Sequence, residues 1–401
     1  MLGATGSVGA SALEVIRMHP DRFKAVGLSA WQQTDALMAL VCEFSPAIAA
    51  AAPEVLSSQL VRAGKFPDTT RYCSGTAGLK ETAAHPDAAT VVAGISGAAG
   101  LESIFAAAHA GKRILIANKE PLVMCGNLLR RVARESRARL FPVDSEHNAI
   151  FQCLPEGLQR EVIAGRGLTE NAIEPAVTHV TLTASGGPFL RTAAADLNTV
   201  SIDAALEHPT WKMGPKISVD SATLMNKGLE LIEACMLFGL DESQVEVVIH
   251  PQSALHSVVY FEDGSLIGQM ANPDMRIPIA YGLSYPDRIP SGVPPLDLVA
   301  MGRLEFEAPD IERFPCIGLA RAVIRQGGSA PIVLNAANEV AVEAFLAGMI
   351  RFSDIPSLID AVLNTYENAS ATELSVVLSI DQEARAAARN ILAKGLYRIG
   401  V

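Results

Sequence analysis

In the first third of the chain, hydrophobic runs alternate with segments of helical period, and that alternation sets the expected architecture. The stretches 23–29, 90–95 and 113–117 read as buried strands, and 101–110 carries the spacing of an amphipathic helix. Leu140-Phe141-Pro142-Val143 reads as the end of another strand. Strand, helix and strand in succession predict a parallel, doubly wound sheet with helices on both faces. The pattern then changes. The stretches 177–182, 245–250, 257–261 and 266–270 read as strands, the last two joined by the turn Glu262-Asp263-Gly264-Ser265. They predict an open, mostly antiparallel sheet. Segment 149–154 looks helical, and periodic apolar residues from Leu224 to Leu237 predict a longer helix. Beyond Ser291-Gly292-Val293-Pro294-Pro295, the stretches 317–325, 336–347, 355–367 and 381–396 fit the amphipathic helices of a small bundle.

Chemistry enters first at the glycines. Gly3, Gly6 and Gly9 open a helical pattern that carries Val8, Leu13, Val15 and Ile16. Such glycines permit a tight turn, backbone approach to a pyrophosphate and close helix–strand packing, with the helix N-terminus facing the phosphates. The G-x-x-G-x-x-G spacing equally describes a turn with no ligand, but the strand that follows supplies the context of a βαβ unit. Only Met1 and Leu2 precede the first glycine, where a central strand usually carries several apolar residues. Either the sheet tolerates a stub that pairs poorly, or the sequence as given starts late. The second strand ends in Ser29-Ala30-Trp31-Gln32-Gln33, with no acid for a ribose 2′-OH. Loss of the acid removes the repulsion against a 2′-phosphate and favours NADP over NAD.

Asp144-Ser145-Glu146-His147-Asn148 follows a strand directly. Two ionised carboxylates so close repel each other, and a divalent cation holds them together. The same five residues also describe a hydrophilic loop in which Glu146 or His147 caps the next helix. Asn118-Lys119-Glu120 stands at another strand end, where Lys119 could hold cofactor or substrate hydroxyls or simply begin a helix. Ser185-Gly186-Gly187 offers a hydroxyl and free N–H groups to an anion such as phosphate, or forms a plain turn. Two prolines and a glycine bar regular structure from Glu207-His208-Pro209-Thr210-Trp211-Lys212-Met213-Gly214-Pro215. Trp211 and Met213 there fit a flap closing over a ligand, or a contact with a neighbouring subunit. Ser221, Asn226, Lys227 and Glu230 form a polar series in apolar sequence. Asn226 and Glu230 share a helix face, and Glu230 beside Asp144 and Glu146 would complete a hard-oxygen site for Mg²⁺ or Mn²⁺. Lys227 with Ser185 and Ser221 could neutralise a phosphate; a solvated helix face is the alternative. His250 and His256 are further candidate ligands that sheet structure explains equally well.

Composition narrows the classes. The chain has 401 residues, 49% hydrophobic and 19% charged, enough for two or three domains with filled cores. Its 32 Lys and Arg face 43 Asp and Glu, a formal net charge of −11, with no basic run interleaved with aromatics; nucleic acid is not expected as a partner. The six cysteines are scattered without metal or redox spacing, and most, sitting among apolar residues, are expected to be core fillers in a reducing compartment. No signal peptide or membrane-length apolar run is present, so a cytoplasmic protein without membrane association is expected.

Seven motifs in order carry a resemblance over nearly the whole chain: Gly3-Ala-Thr-Gly-Ser-Val-Gly9, Ala117-Asn-Lys-Glu120, Pro142-Val-Asp-Ser-Glu-His-Asn-Ala-Ile-Phe151, Ser185-Gly-Gly-Pro-Phe189, Lys216-Ile-Ser-Val-Asp-Ser-Ala-Thr-Leu-Met-Asn-Lys-Gly-Leu-Glu230, His250-Pro-Gln-Ser253 and Leu334-Asn-Ala-Ala-Asn-Glu339. With them the sequence resembles the 1-deoxy-D-xylulose 5-phosphate reductoisomerase family. The resemblance implies a homodimer that converts that phosphorylated substrate to 2-C-methyl-D-erythritol 4-phosphate with NADPH and Mg²⁺ or Mn²⁺. It implies Asp144, Glu146 and Glu230 as metal ligands, and Glu146, Lys119 and Lys227 as catalytic groups. Substrate contacts would be Lys119, Ser145, Glu146, Ser185, His208, Trp211, Ser221, Asn226, Lys227 and Glu230. Cofactor contacts would be Thr5, Gly6, Ser7, Val8, Asn118, Glu120 and Gly214. The expected organisation is a Rossmann-like NADPH-binding domain over 1–140, an α/β catalytic domain over 141–290, a linker over 291–310 and a C-terminal α-helical domain over 311–401. The sequence departs from the family pattern at its opening strand, at Trp31-Gln32-Gln33 and at Pro121, which a first helical turn tolerates. Two rivals stand beside this expectation: another NAD(P)-dependent sugar-phosphate or semialdehyde dehydrogenase, and a non-catalytic binder of metal and sugar phosphate.

Overall fold

A computed structural model describes residues 1–51, 67, 69–168, 177–211 and 213–395. Lys212 and the end of the last expected helix, residue 396, lie outside the described residues.

Strands β1 (Gly27–Ala30), β2 (Ile48–Ala51) and β3 (Arg71–Ser74) pair in parallel in that order, as do β4 (Thr90–Ala93), β5 (Arg113–Ile116) and β6 (Arg139–Pro142). The opening residues join the two sets. The Met1 amino group donates to Gly27 O at 2.7 Å, and Ser29 N donates to Met1 O at 3.0 Å. On the other side Leu2 N donates to Val92 O at 2.9 Å and Gly94 N to Leu2 O at 3.0 Å, with a parallel bridge between Leu2 and Ala93. The stub is therefore paired along both edges, contrary to the poor pairing expected, because each neighbour supplies its half of a ladder. β1 begins at 27 rather than 23, since Arg22 and Phe23 turn back to bond His19 O.

From the opening segment the chain winds outward to β3, then returns to β4 and winds the other way. That reversal is a topological switch point, and ligands bind in the crevice over the carboxyl ends of the strands there. Two glycines make the crevice tight. A Cβ on Gly3 (φ +77°) would lie 2.7 Å from Gly94 O, and one on Gly9 would lie 2.3 Å from Gly3 O.

The second sheet runs β10-β9-β7-β8, with β7 (Val177–Ala184), β8 (Val245–Ile249), β9 (Leu255–Phe261) and β10 (Leu266–Met270). Only β7 and β8 are parallel, so the sheet is mostly antiparallel as expected. The helix expected over 224–237 is present as Met225–Phe238, and a separate helix, Pro215–Ala222, precedes it, the two divided by Leu224 at φ +59°. A left-handed leucine carries a cost on the order of 1 kcal/mol, which the surrounding packing must offset.

The C-terminal bundle comprises Cys316–Gln326, Ala330–Leu346, Asp354–Thr365 and Leu374–Ala393. Two of these helices start earlier than the pattern suggests. Pro331 is tolerated in a first turn, where its missing N–H has no partner to lose. Val377 is buried against the bundle, so packing overrides the strand preference of Leu374-Ser-Val-Val377. Ala330–Leu346 is buried on nearly every side and packs on the other bundle helices, on Glu120–Ser136 and on Pro215–Ala222. The stretch 291–310 holds a short helix, Leu298–Met301, and Glu307 exchanges backbone bonds of 2.8 and 2.9 Å with Ile249 at the edge of β8.

Candidate active site

Each acidic side chain reaches the site through a local feature of its element. Asp144 is the N-cap of helix Ser145–Cys153, yet its carboxylate makes no capping bond. It lies instead 2.7 Å from Lys119 Nζ, at the turn between β5 and helix Glu120–Ser136. Glu146 follows in the first turn and accepts from the Ser145 hydroxyl. Helix Met225–Phe238 presents Asn226, Lys227 and Glu230 to the same point, because side chains three and four apart share a face. Lys227 Nζ lies 3.3 Å from Glu146 Oε1 and pairs with Glu230, which also accepts from Asn226 Nδ2. Lys119 Nζ is 3.7 Å from Glu230 Oε1.

Oxygens of Asp144, Glu146 and Glu230 lie within 4.8 Å of one another. Three carboxylates face two ammonium groups, and the excess of negative charge shows in their protonation. Burial, reinforced by Glu146, pushes the Glu230 carboxyl up to about 8 despite Lys227. Burial also opposes ionisation of Asp144, but Lys119 and His147 hold it below the usual carboxylate range. Burial disfavours the Lys119 ammonium, yet Asp144 and Glu230 hold its pKa well above the ordinary lysine value. A group this rich in hard oxygens fits a divalent cation, which would replace the proton on Glu230. His147 stands behind the cluster. Its Nε2–H donates to Glu230 O at 2.9 Å, and burial pushes its pKa down to about 4.

A second polar group gathers at the ends of β7 and helix Pro215–Ala222. His208 Nδ1 accepts from Trp211 N at 2.9 Å and Thr210 N at 3.2 Å, so Nε2 carries the proton and donates to Ser185 Oγ at 2.9 Å. Burial lowers the His208 pKa, which keeps the ring neutral near pH 7. Gly187 (φ +69°) brings this turn against Ser221, for a Cβ there would lie 2.7 Å from Ser221 O. Trp211 leans over the site, its ring 6.2 Å from that of His256.

One cavity of about 480 Å³ connects these parts. Ser7 and Val8 of the glycine turn border one end, Lys119, Asp144, Ser145, Glu146, Asn226 and Lys227 the middle, and Ser185, His208, Ser221, Trp211 and Met213 the other end. Glu230 lies beneath Asn226 and Lys227. Of the expected cofactor contacts, Ser7, Val8 and Gly214 border the cavity, whereas Thr5, Gly6, Asn118 and Glu120 do not. Asn118 donates to Ile95 O at 2.8 Å, and Glu120 pairs with Lys216 at 3.1 Å. Gly6 differs from Gly3 and Gly9: its Cβ would meet nothing nearer than Gly3 O at 3.5 Å, leaving space over the helix N-terminus for a dinucleotide phosphate.

Sequence reasoning assigned no role to Thr210 and Ser253, which also line the cavity. Ser253 lies in a quoted motif and has φ +50°, but neither fact is legible as a contact. The two open histidines separate. His256 lines the cavity; His250 spends both nitrogens on the backbone, donating to Glu305 O at 2.9 Å and accepting from Ala254 N at 3.2 Å. The cysteines are all unpaired; Cys125, Cys235 and Cys316 are core fillers, and Cys42 is exposed on the outer face of helix Thr34–Phe44.

Three family models match: 1-deoxy-D-xylulose 5-phosphate reductoisomerase over residues 1–126, its C-terminal domain over 140–238, and the DXP reductoisomerase C-terminal domain over 270–387. The chain belongs to the 1-deoxy-D-xylulose 5-phosphate reductoisomerase family. It is 51% identical to the Ralstonia pickettii reductoisomerase over 397 residues, covering 98% of this chain and 96% of that one. The Methylobacillus flagellatus reductoisomerase is 50% identical, covering 96% and 95%. Among solved family members, a DOX-P reductoisomerase in complex with NADPH, fosmidomycin and magnesium matches with a TM-score of 0.92 at 46% identity, over 98% of this chain and 97% of that one. The Zymomonas mobilis reductoisomerase in complex with NADPH matches with a TM-score of 0.87 at 40% identity, over the same shares.

Proposed function

We propose that the protein converts 1-deoxy-D-xylulose 5-phosphate to 2-C-methyl-D-erythritol 4-phosphate with NADPH and a divalent cation. The observation that carries this reading is the convergence of Asp144, Glu146 and Glu230 in the cavity that also reaches the glycine turn at Ser7 and Val8 and the hydroxyls of Ser185 and Ser221. The solved relatives bound to NADPH and magnesium support the same cofactors here.

Asp144, Glu146 and Glu230 would hold the cation, and Ser7 and Val8 with the Gly6 space would receive the cofactor phosphates. Once bound, the cation supplies Lewis acidity to neighbouring ketone and hydroxyl oxygens, and NADPH supplies the hydride that reduces the rearranged aldehyde. The chain's own groups do the rest. Ser185 and Ser221 grip the phosphate, with the His208 Nε2–H turning the Ser185 hydroxyl proton toward it, and that remote binding orients the reacting carbons. Lys119, Ser145, Asn226 and Lys227 meet the substrate hydroxyls. Trp211 and Met213 close over them and exclude water.

An acylating dehydrogenase would need a reactive thiolate, and burial pushes the Cys235 and Cys316 thiols up to about 12. We further propose a homodimer, supported by the exposed apolar residues Leu266 and Ile267 on edge strand β10. The unpaired thiols support a cytoplasmic location. The deciding experiment is carbon-skeleton NMR of the product formed from deoxyxylulose phosphate, NADPH and Mg²⁺. A branched skeleton is expected. A reduced but unrearranged product would point to a simple dehydrogenase, and no turnover to a binder.

A further inference from the structure

Lys216 stands where three parts of the chain meet. It begins helix Pro215–Ala222, two residues past Gly214 at the end of the Trp211 segment. Its ammonium lies 3.1 Å from Glu120 Oε1, beside the strand end that carries Lys119, and 2.9 Å from Asp220 Oδ2 one turn along its own helix. The other Asp220 oxygen accepts from Asn338 Nδ2 at 2.9 Å, on the central bundle helix. Glu339, the next residue, accepts from Asn335 at 3.1 Å and from Arg385 at 2.5 Å, and Arg385 is held by Asp381 at 2.7 Å. A Cβ on Gly97 would lie 3.2 Å from Glu339 Oε1, so this carboxylate sits directly under the loop that follows β4 at the switch point.

Glu120, Asp220 and Asn338 are all buried, and a buried carboxylate that loses its cation has no water to turn to. Burial opposes the Lys216 charge, but Asp220 and Glu120 outweigh it and hold the lysine above its ordinary range, with Glu339 adding to the field. The cluster accounts for the motif Leu334-Asn-Ala-Ala-Asn-Glu339, which touches none of the groups assigned to chemistry. The next residue after Asp220 is Ser221, on the cavity wall; the residue before Glu120 is Lys119. Pinning Lys216 therefore fixes both walls at once.

We propose that Lys216 is a positioning residue that ties the end of the Trp211 segment to the cofactor-side strand end and to the C-terminal bundle, so that the two halves of the cavity keep one relative geometry. This rests on the proposed reaction. The ammonium contacts neither substrate nor cofactor in this role; it acts through Glu120 and Asp220.

The test uses the full-length enzyme with NADPH, deoxyxylulose phosphate and Mg²⁺. Lys216→Met is expected to raise both the NADPH Kd, read by nucleotide fluorescence without turnover, and the substrate KM by about fivefold or more, with kcat within about threefold. Lys216→Arg should restore most of both. In a double-mutant cycle, Glu120→Gln and Lys216→Met should be strongly non-additive in NADPH Kd, since each removes the same pair. Additive losses, or a fall in kcat with Kd and KM unchanged, would overturn the proposal. Should Lys216→Met not fold by circular dichroism, Asn338→Ala repeats the test from the bundle side: substrate KM is expected to rise about threefold, and an unchanged KM would overturn the proposal. If wild-type enzyme makes no branched product, the reaction assignment has failed; if it does and the variants behave as wild type, only the Lys216 role has.

Discussion

Lys119 Nζ lies 2.7 Å from Asp144 Oδ2 and 3.7 Å from Glu230 Oε1, so an ammonium from the first sheet partly neutralises carboxylates carried by two other elements. Both partners of the closer pair are buried. Removing one side of such a pair costs about 3–5 kcal/mol, chiefly from the uncompensated charge left behind. Lys119→Met should therefore lower the Tm of metal-free protein substantially. Mn²⁺ should recover much of the loss, because the cation restores positive charge beside Asp144. The check is differential scanning fluorimetry with and without Mn²⁺; an equal metal-induced Tm shift in variant and wild type would refute the shared-charge account.

Glu230→Gln should behave in the opposite way. Burial and Glu146 push the Glu230 carboxyl toward its neutral form in metal-free protein, and glutamine keeps a neutral group of the same shape there. The Tm without metal should stay close to wild type, while Mn²⁺ affinity and turnover fall, turnover by several orders of magnitude. Titration calorimetry and steady-state rates at low Mn²⁺ read both; a near-normal rate there would remove Glu230 from the ligand set.

Much of this site was legible in the chain. Two carboxylates directly after a strand, at Asp144 and Glu146, announce a hard-ligand cluster because few other arrangements keep them ionised together. Glu230 was recognisable as a partner only by its helical spacing from Asn226 and by resemblance, since nothing local says which distant helix returns to the strand end. The helix that carries Glu230 was legible from its apolar period, beginning at Leu224, but the left-handed backbone of that residue was not. The left-handed turn there lets Ser221 of one helix and Asn226 of the next line the same cavity. Lys216 and Asp220 look like an ordinary surface pair at i and i+4; Glu120, which makes the lysine informative, comes from another sheet. The opening stub pairs better than its length suggests because pairing depends on neighbours as well, and Met1 bonds β1 while Leu2 bonds β4.

Trp211 is held by its backbone N–H to His208 and by its ring near His256, so the indole caps the cavity without entering either sheet. Trp211→Ala should raise the substrate KM by about tenfold or more and lower kcat less, since closure orients a bound substrate that the phosphate grip still captures. NADPH affinity should change little. An unchanged substrate response in steady-state kinetics would remove the flap role.

His256 gives a pH signature. It is buried, and desolvation holds its pKa below the ordinary histidine value, with Glu146 opposing and Lys227 and His250 reinforcing the shift. Because the unfolded chain binds the proton more readily, this histidine's contribution is full above about pH 6.5 and is lost as pH falls through the lower folded value. His208 is shifted the same way by burial. The Tm of metal-free protein should thus fall from pH 7.5 toward pH 5.5, and the fall should be smaller in His256→Gln. Fluorimetry across that range decides it; an identical slope in the variant would show that the stability is carried elsewhere.

Among the described residues strand β10 is the edge of its sheet, and its Leu266 and Ile267 are 55% and 46% exposed. Exposed apolar residues on an open edge invite pairing with another chain. A second copy of the chain is the occupant proposed above. Wild-type protein should run as a dimer by light scattering at micromolar concentration, and Ile267→Lys should shift it toward monomer by placing a desolvated ammonium in the contact. NADPH binding should survive that change, because the glycine turn lies in the other sheet. A wild-type monomer would remove the dimer from the account, and a variant as dimeric as wild type would move the interface away from β10.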